Sequence, residues 1–225
     1  MAFGVRLHVW GDHACFTRPE MKVERVSYDV ITPAAARGIL DAIHWKPAIR
    51  WDVTRIHVLK PIRFRSIRRN EVSAKASADR AKSAMKAGTT AGLGIDIAGT
   101  RQQRASTLLV DVAYVIEARF ALTDRAGADD NPAKHISMFN RRAAAGQCFH
   151  RPCLGTREFT ADFRLLEEGD PLPPSELAPG DRDRDLGWMN YEPGYTPAMP
   201  ARFFRARMEG GVIEVERLLA EGVVA

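Results

Sequence analysis

Two helix-start signals of the same kind fix the organisation of this chain. Thr32-Pro33 and Asn131-Pro132 each place a good N-cap residue before a proline, which is favoured at the first helical position. Pro47 cannot continue the first helix, and Gly146 is suited to end the second. The sequence therefore predicts two helices, over residues 32–45 and 132–145.

Segments rich in β-branched and aromatic residues flank both helices. Their alternation of apolar and polar residues is typical of half-buried strands, and Gly11-Asp12 breaks the first of them. The strands are predicted over residues 3–10, 51–64, 107–122 and 157–165. The order strand, helix, strand, strand, helix, strand is that of the ferredoxin-like fold, which RNA-recognition domains also use. The predicted class is α+β, with a ferredoxin-like (RRM-like) domain over residues 1–166.

The last part of the chain begins with a proline-rich linker over residues 169–180. Two strand-like runs follow, ARFFRARM and GVIEVERLLA, and Gly210-Gly211 between them is typical of a hairpin turn. Residues 167–225 are therefore predicted to form a small C-terminal antiparallel β domain that packs on the first.

The positive charge is concentrated in one part of the sequence. Residues 46–105 hold 14 Lys and Arg against 4 Asp and Glu, a net +10, whereas the whole chain is only +5. Such a concentration suits a polyanion partner, although a solvated basic face is the alternative. Within it, residues 70–106 lack aromatics and are predicted as a basic insertion loop with a short helix over 73–87. Such a loop either orders on nucleic acid or is a surface insertion without function.

Several classes of protein are disfavoured. The three cysteines make a poor disulfide framework or zinc site, and no apolar run reaches the length of a signal peptide or membrane span. A cytoplasmic protein is expected. Nucleotide-binding glycine loops and common hydrolase motifs are missing, and the carboxylates are not grouped for two metals. Neither a cofactor nor a metal is expected, and the alternating Asp and Arg residues over 181–185 are interpreted as a solvated loop.

RNA can be cleaved without a metal, because its 2′-hydroxyl can attack the adjacent phosphate. Such a site needs proton-transfer groups and positive charge, which histidine and lysine supply. Lys134-His135 opens the second helix, where free N–H groups favour a phosphate. His44 ends the first helix. An exposed Lys-His pair without function is the alternative interpretation. His8 and His57 lie in strands and are expected to be structural, and the roles of His13 and His150 stay open.

One long string resembles a known family. FTRPEMKVERVSYDVITPAAARGILDAIHWKPAIRW, residues 16–51, resembles the N-terminal signature of the Cas-five family, subtype Dvulg, of type I-C CRISPR systems. Matching features along the chain are Gly11-Asp12, Ser27-Tyr28, Thr32-Pro33, Trp45-Lys46-Pro47, Lys60-Pro61-Ile62, Lys134-His135, Arg141-Arg142 and Leu154-Gly155-Thr156-Arg157-Glu158. The resemblance implies metal-independent cleavage of precursor CRISPR RNA at the base of the repeat hairpin, with a 2′,3′-cyclic phosphate product. It also implies that the chain stays bound to the crRNA 5′ handle with other subunits of the type I-C Cascade complex.

The family's catalytic group is a tyrosine, a lysine and a histidine. Lysine and histidine match Lys134 and His135, and the tyrosine position is occupied here by His44. The resemblance therefore implies His135 as base or acid, Lys134 as the group that stabilises the phosphorane, and His44 as the partner. Tyr28 is a second choice for the tyrosine.

Basic residues are the candidates for RNA contact, because they pair with the phosphate backbone. They are Lys46, Arg50, Arg63, Arg65, Arg68, Arg69, Arg141 and Arg142. Trp45 and Trp51 are suited either to stack on bases or to pack in the core. A subunit that binds crRNA without cutting it stays open, because the tyrosine is replaced. Binding of double-stranded DNA by the basic segment also stays open.

Overall fold

The computed structural model describes residues 4–194 and 200–224, so residue 3, the predicted start of the first strand, lies outside the described part. The strands of the described residues are β1 Gly4–Ala14, β2 Arg25–Val26, β3 Ile49–Val58, β4 Phe64–Val72, β5 Arg101–Leu122, β6 Asp162–Leu166, β7 Arg184–Glu192, β8 Arg202–Met208, β9 Val212–Ile213 and β10 Val223–Val224. The helices are α1 Pro33–Ile43, α2 Ala78–Ala87, α3 Ile97–Thr100, α4 Pro132–Ala144 and α5 Val215–Glu221, with a 3-10 turn at Pro179–Asp181.

An antiparallel sheet forms the centre of the larger of two compact units, whose described residues are 4–65, 107–194 and 200–224. Its strands lie in the order β6-β1-β5-β3-β9, and β2 and β4 also pair with β5. Strand β5 pairs with β1 on one side and with β3 on the other, both antiparallel. The chain thus mixes helices with an antiparallel sheet, which confirms the predicted α+β class.

Both predicted helix starts are confirmed. The side chain of Thr32 accepts a hydrogen bond from the backbone N–H of Ala35, and that of Asn131 accepts one from Lys134. The helices α1 and α4 contact each other and the sheet, and their apolar faces enter one core. The Trp51 ring of β3 packs on Phe139 of α4 with 4.8 Å between ring centroids. Caps and apolar faces therefore bring the end of α1 beside the start of α4.

Several strand predictions need correction. The strand predicted over 51–64 ends at Val58, and the one predicted over 157–165 begins only at Asp162. Strand β1 does not end at Gly11 but continues to Ala14. The glycine does not break the strand; it allows the Leu154 side chain to pack closely against the backbone. A Cβ at Gly11 would lie 2.6 Å from Cδ1 of Leu154. The run over residues 211–220 is mostly helix α5, and only β9 is a strand. Val215 and Leu218, three residues apart, bury one face of that helix.

Residues Ser66–Ser106 form the second compact unit. The short helix predicted over 73–87 is present as α2, whereas the loop prediction is wrong at residues 70–72, 97–100 and 101–106, which belong to β4, α3 and β5. Helix α2 lies within the predicted 73–87 segment, capped by Ser77 and ended by Gly88 in the left-handed conformation, and α3 is capped by Asp96. The parts of β4 and β5 within this unit are joined by the Arg104–Glu71 ion pair at 3.0 Å. No residue of α2 or α3 is buried, and the sequence pattern did not indicate α3.

A second antiparallel sheet has the strand order β10-β8-β7. It uses the predicted ARFFRARM strand, and Gly210 and Gly211 take positive φ angles of 60° and 82° in the turn that follows. The division into domains after residue 166 stays a prediction. Across the described residues, no helix combines the length and hydropathy needed to cross a bilayer.

Candidate active site

Two histidines that are distant in sequence meet in the core. His44 is the C-cap of α1, and His135 lies in the first turn of α4. Nε2 of His44 lies 3.0 Å from Nδ1 of His135, and the two residues are only 0% and 1% exposed. The packing of α1 against α4 therefore joins two of the three predicted catalytic residues.

Two charged side chains extend this pair into a chain of four. Nε2 of His135 lies 3.0 Å from Oδ1 of Asp130, and an Arg142 N–H group lies 3.3 Å from Nδ1 of His44. An arginine can only donate and a carboxylate can only accept. The hydrogen bonds therefore run in one direction, from Arg142 to His44, from His44 to His135, and from His135 to Asp130. Each histidine is then neutral and carries its hydrogen on Nε2.

The electrostatics agree with a neutral His44. The pKa of His44 is lowered from 6.5 to about 4, chiefly by burial and also by the neighbouring Arg142, His135 and Lys46 side chains. At the other end, the pKa of Asp130 is lowered because the Gly127 backbone N–H and the His135 ring donate to its carboxylate. The series of hydrogen bonds therefore ends on an ionised carboxylate at physiological pH.

This pKa shift predicts an acid-sensitive fold. As pH falls below about 6.5, the unfolded chain takes up a proton at His44, whereas the folded chain does so only near pH 4. Folding stability is therefore lost progressively across this window, by up to about 3 kcal/mol. We expect urea unfolding at pH 7 and pH 4.5 to show a larger loss for the wild type than for His44→Gln. Burial raises the pKa of Asp41 to about 6, so this carboxyl increases folding stability as pH falls. It does so in both proteins. Parallel losses would contradict the prediction.

Local hydrogen bonds hold the backbone at His44. Nε1 of Trp51 donates to the His44 carbonyl oxygen at 3.0 Å, and Arg142 donates to the Ile43 carbonyl oxygen at 3.0 Å. The Phe120 ring packs edge-on against His135 with 6.0 Å between centroids. The last turn of α1 is thus tied to β3 and to α4 where the histidines meet.

Lys134 takes a different direction from its neighbour. Its side chain is exposed, and Nζ donates to the Asp129 carbonyl oxygen at 3.2 Å. Its positive charge nevertheless acts on Asp130. Lys134 therefore lies near Asp130 with its side chain exposed, and its role at the phosphorane stays a prediction.

Tyr28, the second choice for the tyrosine position, is held elsewhere in the core. It is 2% exposed, its hydroxyl accepts a hydrogen bond from the Asn190 backbone, and Arg18 stacks over its ring at 4.5 Å.

The two tryptophans differ in burial. Trp51 is fully buried, which favours a role in the core, whereas Trp45 is 57% exposed.

The predicted RNA-contacting residues fall into several groups. Lys46, Arg50, Arg63, Arg65, Arg68 and Arg141 are exposed. Arg50 pairs with Asp52, Arg63 with Asp111, and Arg69 with Glu71. Arg142 is the member joined to the histidine pair, and RNA contact by the whole set stays a prediction. Within the described ranges, no group of three His, Cys, Asp or Glu side chains is arranged to hold a metal ion.

The contact of Asp130 with His135 could not be predicted from the sequence. Asp130 belongs to a polar run before Asn131, and this run is typical of a turn followed by a helix cap. No fixed spacing links Asp130 to His135. The role of Arg142 on His44 was missed for the same reason, since that contact depends on how α1 packs against α4.

Comparison with known proteins gives concordant results. Residues 4–216 match the model of a family described as CRISPR-associated protein (Cas_Cas5). A protein of Mannheimia succiniciproducens, named CRISPR pre-crRNA endoribonuclease Cas5d, is 59% identical, and the match covers 99% of each chain. A protein of Thermus thermophilus with the same name is 40% identical over 94% of this chain and 90% of its own. The fold resembles a crystal structure of a CRISPR-associated protein, with a TM-score of 0.67 and 23% identity over 99% of this chain and 96% of the other.

Proposed function

Because the chain belongs to the Cas5d family of CRISPR-associated proteins, we propose that it is a metal-independent endoribonuclease that cleaves precursor CRISPR RNA at the base of the repeat hairpin. This proposal rests on the hydrogen bond between His44 and His135, in which Nε2 of one ring lies 3.0 Å from Nδ1 of the other. Attack by the 2′-hydroxyl needs one group to take a proton and another to give one. Two imidazoles supply both, even though a histidine occupies the family's tyrosine position.

The structure suggests how RNA binding prepares this pair. All four ring nitrogens are engaged, so neither histidine can exchange a proton with RNA until Asp130 or Arg142 moves away. Arginine binds phosphate strongly through charge-assisted hydrogen bonds. A backbone phosphate that draws the Arg142 guanidinium away from His44 frees Nδ1 of that ring. Lys134, exposed near Asp130, then supplies positive charge for the phosphorane.

The fold proposal is a ferredoxin-like domain over residues 1–166 with a small C-terminal β domain over 167–225. It is supported by the sheet order β6-β1-β5-β3, in which α1 follows β1 and α4 follows β5. We further propose that the chain stays on the crRNA 5′ handle with the other type I-C Cascade subunits in the cytoplasm. The exposed basic residues support RNA contact, and double-stranded DNA is a second polyanion that they suit.

The test is cleavage of the cognate repeat hairpin in excess EDTA. We expect the wild type to cut this RNA and to leave a 2′,3′-cyclic phosphate, because the nucleophile is the RNA's own 2′-hydroxyl. A repeat with a 2′-deoxy residue at the scissile position is the matched control, and we expect it to be bound but not cut. Tight binding of the normal repeat without any cutting would reject the endonuclease and favour the binding-only subunit. In that case His44→Tyr is the first variant to make.

A further inference from the structure

Two large aromatic side chains near the histidine pair face solvent. Trp45 is 57% exposed and Phe149 is 89% exposed, and we call these two residues the aromatic pair. Apolar rings left in water are unfavourable, so exposed aromatic side chains grouped on a surface point to a binding role. The histidine pair itself does not use them.

A backbone contact places both members of the aromatic pair beside the candidate active site. The N–H of Phe149 donates to the Ala42 carbonyl oxygen at 2.8 Å, which ties the segment after α4 to the last turn of α1. His44 caps that same turn, and Trp45 is the next residue. The His150 ring packs edge-on against Phe149 with 6.0 Å between centroids. The two exposed rings thus border the turn that carries His44.

Several cationic side chains lie near the aromatic pair, together with the half-buried Asp41 carboxyl, which acts on His150. Lys46 follows Trp45 and is exposed, and its charge acts on His44. Arg142 reaches the Ile43 carbonyl oxygen, and Arg141 is exposed in the last turn of α4. Aromatic rings between cationic side chains are the arrangement that binds unpaired nucleotides, because bases stack on the rings while phosphates pair with the cations. An apolar protein surface would leave those cations without partners.

We propose that Trp45 and Phe149 form a stacking site for the unpaired nucleobases that flank the scissile phosphodiester. The inference rests on the proposed function and extends it to substrate positioning. Attack by the 2′-hydroxyl requires the 2′-oxygen, the phosphorus and the leaving 5′-oxygen to lie in line. A regular helical stack keeps the 2′-oxygen out of line, so the two nucleotides must be splayed apart. Stacking on protein rings replaces the base stacking that is lost.

Binding of a non-cleavable repeat tests this site. The probe carries a 2′-deoxy scissile residue and 2-aminopurine at each unpaired position next to the hairpin base, because this base loses fluorescence when it stacks. We expect Trp45→Ala and Phe149→Ala each to weaken RNA binding about 5- to 100-fold and to restore fluorescence, in line with stacking on a single base. Trp45→Phe should recover most of the binding. Trp188→Ala, which removes a 49% exposed ring on β7, is the matched control and should change neither signal.

The outcomes separate the stacking site from the endonuclease. If the wild type quenches the probe through these rings but never cuts a normal repeat, the stacking site stands and the proposed activity fails. If the wild type cuts but both alanine variants bind and quench like the wild type, the stacking proposal is wrong. It is also wrong if the variants keep RNA affinity but no longer assemble with other Cascade subunits, because the rings would then contact protein.

Discussion

Replacing His135 by alanine is expected to lower the rate of repeat cleavage about 10²- to 10⁴-fold, the usual contribution of a positioned proton-transfer group. His135 is the central member of the chain, since it contacts both His44 and Asp130 at 3.0 Å. Its ring is buried, so RNA affinity should stay unchanged. Single-turnover cleavage and filter binding measure the two quantities separately.

The control for His135→Ala is His57→Gln. His57 lies on β3 and contacts a carboxylate as His135 does, with Nε2 2.9 Å from Glu117. Loss of this histidine removes a comparable histidine–carboxylate contact away from the histidine pair and should leave cleavage intact. Because the alanine variant also opens a space in the core, His135→Asn serves as a second variant with a smaller change in volume. Normal cleavage by both folded His135 variants would refute the assigned site.

Replacing Trp51 by alanine is expected to destabilise the fold by about 3–5 kcal/mol, as truncation of a large buried aromatic usually does. Trp51 is fully buried and packs on Phe139 and Phe120, with ring centroids 4.8 Å and 5.1 Å away. Its Nε1 also holds the carbonyl oxygen of His44. The variant should therefore lose stability and also loosen the turn that positions the histidine pair.

Urea unfolding at pH 7 measures the free energy of unfolding. Trp45→Ala is the matched control, since that ring is more than half exposed and its loss should change stability by no more than about 0.5 kcal/mol. Trp51→Phe should fall between the wild type and Trp51→Ala, because it keeps a ring but loses the N–H donor. Equal stabilities for Trp51→Ala and Trp45→Ala would show that Trp51 is not part of the core.

Local signals were sufficient for the helices that carry the site. The bounds of α1 and α4 follow from the cap-plus-proline pairs at Thr32 and Asn131, because capping depends only on residues within one turn. Strand alternation likewise gave the α+β class. The prediction of a strand end at Gly11 was wrong, because this glycine instead leaves space for the Leu154 side chain. Local signals predicted the short helix α2 of the second unit but missed α3, in which no residue is buried.

The sequence by itself determined the helix starts, the order of helices and strands along the chain, and the family. It also identified His44, Lys134 and His135 as candidates. Only the tertiary structure decided that His44 and His135 touch, that Asp130 and Arg142 close the chain, and that Lys134 turns away. It also decided that Trp51 is core while Trp45 faces solvent. The reason is physical. Caps and alternation act over a few residues, whereas the contacts of His44 with His135 and Arg142 join residues 91 and 98 positions apart and exist only once α1 packs against α4.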